Sequence, residues 1–460
     1  MMSGCGMDPG TSPGGAGVTA GLDRDAVLDW YRRNRARSAR LFEMLAERCY
    51  VTRPIALRNP IVFYEGHLPG FSVNTLIKKG LGRPGVDDRL EEVFARGIDP
   101  EDESHAAPRG GVSGWPTRHE VRQFADACDR LVERALLHDD VDRPGVPVLE
   151  RAEGVFTLLE HEAMHQETLL YMWHQLPHGD KKRPEGYAPE AAGDPPVQQS
   201  VTVPSGIATL GADRHAARFG WDNEFDAHQV VVPAFEIDVH DVTNAAFLEF
   251  VEAGGYDDPR WWGDEDFAWV RRAGVRHPMF WEQHDHRWFW RGQFDRLPLP
   301  PAWPVYVSHA EASAFARWRG KRLPTEAEFH RAAYGTPGGT QRSYPWGEDS
   351  PDATRGRFGF AGWDPVPAGS RPAGASAWGV HDLVGNGWEW TSTVFAPFQG
   401  FRPMPSYPEY SAEFFDAQHY VLKGASPATA HELLRPSFRN WFRPHYPYIY
   451  AAFRCARSVR

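Results

Sequence analysis

Leu158–Trp173 reads LLEHEAMHQETLLYMW, and its reading decides the fold of the first half of the chain. His161 and His165 are four residues apart, so on a helix they stand on one face, one turn apart. Two imidazoles placed this way can reach one metal ion, and neighbouring glutamates can orient them. Val155, Phe156, Leu159, Leu169, Leu170 and Trp173 are apolar, and neither Gly nor Pro lies between Val155 and Leu176. The pattern therefore predicts a helix. Two helix histidines with ordinary packing and solvent contacts remain the alternative at this point. The spacing alone admits zinc or nickel as readily as iron.

Outward from that stretch, the chain has 460 residues, enough for two or three domains. Its formal net charge is -11, and no long Lys/Arg run interrupts it. That balance makes it a poor candidate for binding nucleic acid or an anionic membrane. No apolar run approaches the length of a membrane span. The start, MMSGCGMDPGTSPGGAGVTAG, lacks the apolar core of a secretory signal. Cys5, Cys49, Cys128 and Cys455 are widely scattered, giving neither a zinc-finger spacing nor a disulfide framework. Reduced thiols in a cytoplasmic protein are expected. The 18 Trp and 27 Phe suit pockets and loop-rich cores without naming a ligand.

Four units follow from the order of composition. Residues 1–22 read as a disordered tail rich in Gly, Ser and Pro. Residues 23–176 read as a four-helix bundle. Its helices are expected near Arg24–Arg48, within IVFYEGHLPGFSVNTLIKKGL (61–81), over Arg118–His138 and around the histidine pair. Pro69 and Gly70 are expected to interrupt the second of these. Residues 177–198, rich in Pro, Gly and charge, read as a linker. Residues 199–460 read as an α+β domain with short strands at Val201–Val203, Val230–Val232, Phe235–Val239 and Val305–Val307. Helices are expected over Ser308–Arg319 and Thr325–Tyr334, the latter opened by a Thr325/Glu328 capping box. No internal repeat is found.

Four strings of the second half, RLPTEAEFHRAA (Arg322–Ala333), YPWGE (Tyr344–Glu348), GNGWEWTS (Gly385–Ser392) and FRCAR (Phe453–Arg457), closely resemble the formylglycine-generating-enzyme-like domain, a C-type-lectin-like fold. The first half resembles the DinB-like helical bundle, whose metal is held by three histidines. In this order, the two resemble the ergothioneine and ovothiol sulfoxide synthases, the EgtB and OvoA families. These are non-haem Fe(II), O2-dependent enzymes that join a thiol to the imidazole ring of hercynine or histidine. The resemblance implies a metal set of His67, His161 and His165, with His67 in FYEGHLPGF. His105, His119 and His138 are expected to be solvated. Glu162 is expected on the solvated face of its helix, and Glu167 is left open between that face and a role behind the ligands.

The resemblance also implies a substrate pocket in the second domain, with Asn440 and Trp441 of RPSFRNWFRPHYPY holding hercynine. An aromatic face suits a trimethylammonium. Phe442 stands where relatives that use γ-glutamylcysteine have an acidic residue, which favours cysteine or another small thiol. Phe398 stands where those relatives' catalytic tyrosine is expected, so Tyr64, Tyr446 and Tyr448 become the candidate proton donors. Met164 stands where some relatives have a substrate-binding Gln, with Gln166 a possible replacement. Close alternatives are a selenoneine synthase taking a selenosugar and an ovothiol-type enzyme using histidine. More distant ones are a zinc- or nickel-dependent thiol transferase or hydrolase and a lectin-like binding module with a vestigial bundle. Small-molecule substrates and a monomer or small homo-oligomer are expected.

Overall fold

The computed structural model describes residues 21–95 and 114–459. His105 and almost all of the expected tail lie outside the described residues. The bundle is built from α1 (Arg24–Glu43), α2 (Ile61–Ser72), α3 (Asp88–Val93), α4 (Arg118–His138) and α5 (Glu153–Gln175). Side chains mark the starts: Asp23 accepts from the Ala26 amide before α1, and Thr117 from the Glu120 amide before α4. The expected first helix stops at Glu43, and a separate 3₁₀ turn follows at Glu47–Cys49.

The second helix departs from expectation. Pro69 and Gly70 lie inside α2, which continues through them. A proline removes one helical donor and crowds the preceding turn. The ladder recovers downstream: the Val73 amide donates to the carbonyls of Pro69 and Gly70, and Val73–Gly80 winds as a π-helix. Every residue of α2 except Glu65 is buried. Gly66 allows this close packing, because a Cβ there would come within 2.4 Å of the Phe94 ring.

The second domain is α+β, as expected. β1 (Ser200–Val203) pairs antiparallel with β4 (Phe235–Asp238), which also takes the C-terminal β12 (Ala456–Ser458). β2 (Gly206–Leu210) and β3 (His228–Val232) form a two-stranded ladder; β5 (Trp281–His284), β6 (Arg287–Arg291) and β7 (Arg296–Pro298) form a three-stranded sheet. The central sheet has the order β10-β9-β8-β11, made of β8 (Gly387–Val394), β9 (Tyr420–Ala425), β10 (Asn440–Phe442) and β11 (Ala451–Ala452). Helices α6 (Asn244–Glu252), α7 (Asp264–Ala273), α8 (His309–Trp318) and α9 (Glu326–Tyr334) complete it. The capping box at Thr325 and Glu328 is formed, and Ser308 with Glu311 makes a second one on α8.

Val305–Val307 is not a strand. Its amides bond singly to the carbonyls of Val242 and Ala451, two different neighbours, so no ladder develops. Cys455 is buried, and Arg454 beside it is fully buried between Glu389 and Asp241. Residues 177–198 are a strap lying on both domains. Lys182 donates to the Met44 carbonyl, Tyr187 to Asp364 at 2.9 Å, and Trp303 Nε1 to the Ala191 carbonyl at 2.7 Å. Among the described residues no helix is long and apolar enough to cross a membrane.

Helix α5 joins the two halves, and one hydrophobic core runs through both. Its carboxylates cross the seam. Glu160 accepts from Trp221 Nε1 at 2.8 Å and pairs with Arg435, which also grips Glu224. Glu167 accepts from Trp388 Nε1 at 2.8 Å, Ser426 Oγ at 2.6 Å and Thr429 Oγ1 at 2.9 Å.

A three-histidine centre at the domain seam

The i, i+4 spacing on α5 sets His161 and His165 side by side, and α2 brings His67 against them. His161 Nε2 is 3.3 Å from His67 Nε2 and 3.1 Å from His165 Nε2. One ligand nitrogen from each ring lies within 4.8 Å of the others. Nitrogens each about 2.1 Å from one ion, at right angles, sit roughly 3 Å apart. The three rings therefore form a set that fits a single metal ion and leaves positions open.

Tautomers agree with that reading. His67 Nδ1 donates to the Phe94 carbonyl at 2.8 Å, which leaves Nε2 with a lone pair. Burial holds His67 down at about 4 and drives His161 and His165 well below the usual histidine value, helped by the neighbouring rings. All three are thus neutral, the form that binds metals. Aromatic rings fix their planes: Phe71 stacks on His161 at 3.5 Å, and Phe63 on His67 at 5.0 Å.

His161 and His165 open onto a cavity of about 220 Å³ between the domains. Arg58, Met164, Thr168 and Tyr171 line its bundle side. Asn440, Trp441 and Phe442 of β10 line the other, with Trp388 and Phe438 behind them. Trp441 stacks on Phe395 at 4.2 Å. The three β10 residues named from sequence are therefore together in this wall.

The remaining candidates divide. Tyr64 is fully buried, with its ring 5.7 Å from His165 and its hydroxyl accepting from the Asn59 amide. The Tyr446 hydroxyl accepts from Arg58 Nε at 2.9 Å, and its ring stacks under Phe442 at 5.2 Å. Tyr448 lies behind Tyr446, 5.1 Å away. None of these three tyrosines lines the cavity. Phe398 lies outside it too, packed against His228 and under the Arg439 guanidinium. Gln166 also turns away: one position past His165, it faces α1 and bonds Arg37, Ser38 and the Asn34 carbonyl. Met164 is the residue that reaches the cavity.

Glu162 corrects the expectation of a solvated face. It is 1 % exposed, and Arg35 and Ser38 hold it at 2.9 and 2.6 Å. Glu167 is buried at the cavity wall, where desolvation pushes its carboxyl up against the pull of three donors. His119 and His138 are exposed, as expected.

Two tyrosines that sequence reasoning missed complete the wall. The Tyr407 ring packs 5.2 Å from Phe71 and 6.1 Å from His161. Tyr410 stacks on Trp221 at 3.9 Å, meets Trp441 edge-on at 5.2 Å, and its hydroxyl is 3.3 Å from Met164 Sδ. Both lie on an irregular segment. The paired aromatics of SYPEY were the only local signal available.

The sulfatase-modifying factor enzyme 1-like domain family matches residues 187–459. A hercynine oxygenase of Mycolicibacterium smegmatis is 40% identical over 309 residues, covering 66% of this chain and 71% of that protein. The chain belongs to the hercynine oxygenase family. Among further relatives of this family member, the ergothioneine biosynthesis protein 1 of Neurospora crassa is 27% identical over 500 residues, covering 91% of this chain and 56% of that protein. The formylglycine-generating enzyme of Mycobacterium tuberculosis is 33% identical over 251 residues, covering 45% of this chain and 78% of that protein.

Proposed function

We propose that this chain is an iron(II)- and O2-dependent sulfoxide synthase that joins a small thiol to the imidazole of hercynine, a step of ergothioneine biosynthesis. The observation that carries the reading is a cluster of three neutral imidazoles, two of them open to one aromatic-lined cavity, in a chain 40% identical to a hercynine oxygenase. The balance is simple. The hercynine C2–H, the thiol S–H and O2 give a C2–S bond, one S=O and one water.

His67, His161 and His165 would hold the iron, which when bound supplies the redox chemistry with O2. The residues of the cavity do the rest. Trp441, Trp388 and Tyr410 offer ring faces to a trimethylammonium, an attraction of about 2 kcal/mol when desolvated. Asn440 supplies an amide for a carboxylate or a ring nitrogen. Tyr407 is the tyrosine best supported as proton donor, since it lines the cavity beside His161 while Tyr64 and Tyr446 do not line it. Phe442 presents a ring where an acidic group would be needed, which favours cysteine over γ-glutamylcysteine. The second domain packs over the bundle, leaving His67 and His161 buried from bulk water.

The test is aerobic turnover by iron-loaded protein, read by O2 uptake and product mass. Hercynine and histidine are compared, as are cysteine, γ-glutamylcysteine and a selenosugar. The expected result is a hercynine–cysteine sulfoxide. Tight zinc binding with no O2 uptake on any pair would sink the reading.

A further inference from the structure

One polar pair in the cavity wall has no role in the site described so far. His419 lines the cavity, stands immediately before β9 and is 7 % exposed. Its Nδ1 is 2.9 Å from Asp416 Oδ1. A carboxylate only accepts, so Nδ1 carries the proton and Nε2 carries a lone pair. Among the described residues nothing hydrogen-bonds that Nε2.

The pair is built rather than incidental. The Gln418 amide donates to Asp416 at 2.8 Å across a tight turn in which Ala417 has φ 62°. The Phe395 amide fixes the His419 carbonyl at 2.7 Å. The Phe414 ring meets the imidazole edge-on at 5.3 Å. Arg443 approaches the other side of Asp416 at 3.9 Å. Burial lowers the basicity of His419 more than Asp416 raises it, so the ring is neutral.

Position matters as well. Tyr420 pairs with Phe442 across β9 and β10, so His419 stands at the rim just beyond Phe442. Phe442 brings no polar side-chain atom to that rim, and His419 does. A neutral imidazole protonated on Nδ1 offers an acceptor backed by a negative charge. It suits an ammonium or hydroxyl and disfavours a carboxylate.

We infer that His419 Nε2 accepts a hydrogen bond from an ammonium or hydroxyl group of the sulfur- or selenium-bearing substrate, with Asp416 holding the ring in place. The inference rests on the two-substrate reading above. It makes His419 a selector of the second substrate and leaves hercynine and the metal to other residues.

The experiment uses the iron-loaded full chain, hercynine and two pairs of thiols. Cysteine against 3-mercaptopropionate tests the ammonium. 1-Thio-β-D-glucose against tetrahydropyran-2-thiol tests the hydroxyls. The wild type should favour the donor-bearing member of at least one pair by about tenfold or more in kcat/KM. His419→Phe should abolish that preference through KM for the thiol, with KM for hercynine and bound iron unchanged. His419→Gln, which keeps an acceptor, should restore part of it.

Equal loss on both members of each pair, or a rise in KM for hercynine instead, overturns the inference. If the wild type turns over no pair, the proposed function fails. Calorimetric titration of the same thiols into the metal-loaded wild type and His419→Phe then decides this point alone. No preference in wild-type binding, or one that survives in His419→Phe, overturns it.

Discussion

The two walls of the cavity are made differently. The bundle wall is one helix, α5, with Arg58 beside it, and the histidine cluster follows from helical geometry: His161 and His165 by one turn of α5, His67 by the packing of α2 behind them. The opposite wall comes from β10 and from the irregular segment holding Tyr407, Tyr410 and Phe414. The first wall concentrates neutral nitrogen and the second concentrates aromatic surface. Under the proposed function, this difference puts metal affinity on one side and substrate selection on the other, so substitutions on each side should fail in different ways.

The sharpest break is His161→Ala. It should lower bound metal by at least 100-fold and abolish turnover, because two rings alone cannot complete the set. Metal analysis with an activity assay checks it; full metal occupancy in the variant would remove the bundle wall from the chemistry. Next in size is Tyr407→Phe. It should lower kcat by roughly 10²–10⁴-fold, the range of a lost general acid, and leave metal content unchanged. A wild-type kcat would return the proton role to Tyr64 or Tyr446. Trp441→Ala should raise KM for hercynine by about tenfold, near 1–2 kcal/mol, with metal content again unmoved. If that substitution stripped the metal, the division between walls would be wrong.

The smallest effect lies in the strap that ties the walls together. Lys181 is 7 % exposed, and burial lowers it to about 7, with Arg291 adding to the shift. Its unfolded value is near 10.5. Between those values the unfolded chain binds a proton that the folded chain does not, so stability rises as pH rises. Unfolding in denaturant at pH 7 and pH 9 should show a gain of about 1–2 kcal/mol. Lys181→Met should flatten it; an unchanged slope would mean that another group is titrating.

The same contrast explains what the sequence could reveal. The α4 bounds, the α5 histidine pair and the Thr325/Glu328 capping box are local, and they stand as read. Asn440 and Trp441 were found only because their string resembles a family's. Pro69 misled because local propensity breaks a helix there, while packing of α2 on all sides holds it together. Glu162 misled because its partners, Arg35 and Ser38, lie more than 120 residues away. Gln166 was assigned by likeness to a neighbour two positions off, a shift that on a helix turns a side chain from cavity to bundle. Tyr407, Tyr410 and His419 carry no periodicity, and only the folded second domain brings them to the histidines.

Because α5 buries Glu160 and Glu167 against Arg435, Trp388 and Ser426, separating the two halves would strip both carboxylates of their donors. A ribosome makes the histidine trio well before it makes Arg435 or Trp441. Until the second half is made, Glu160 and Glu167 therefore lack the donors that satisfy them in the finished fold.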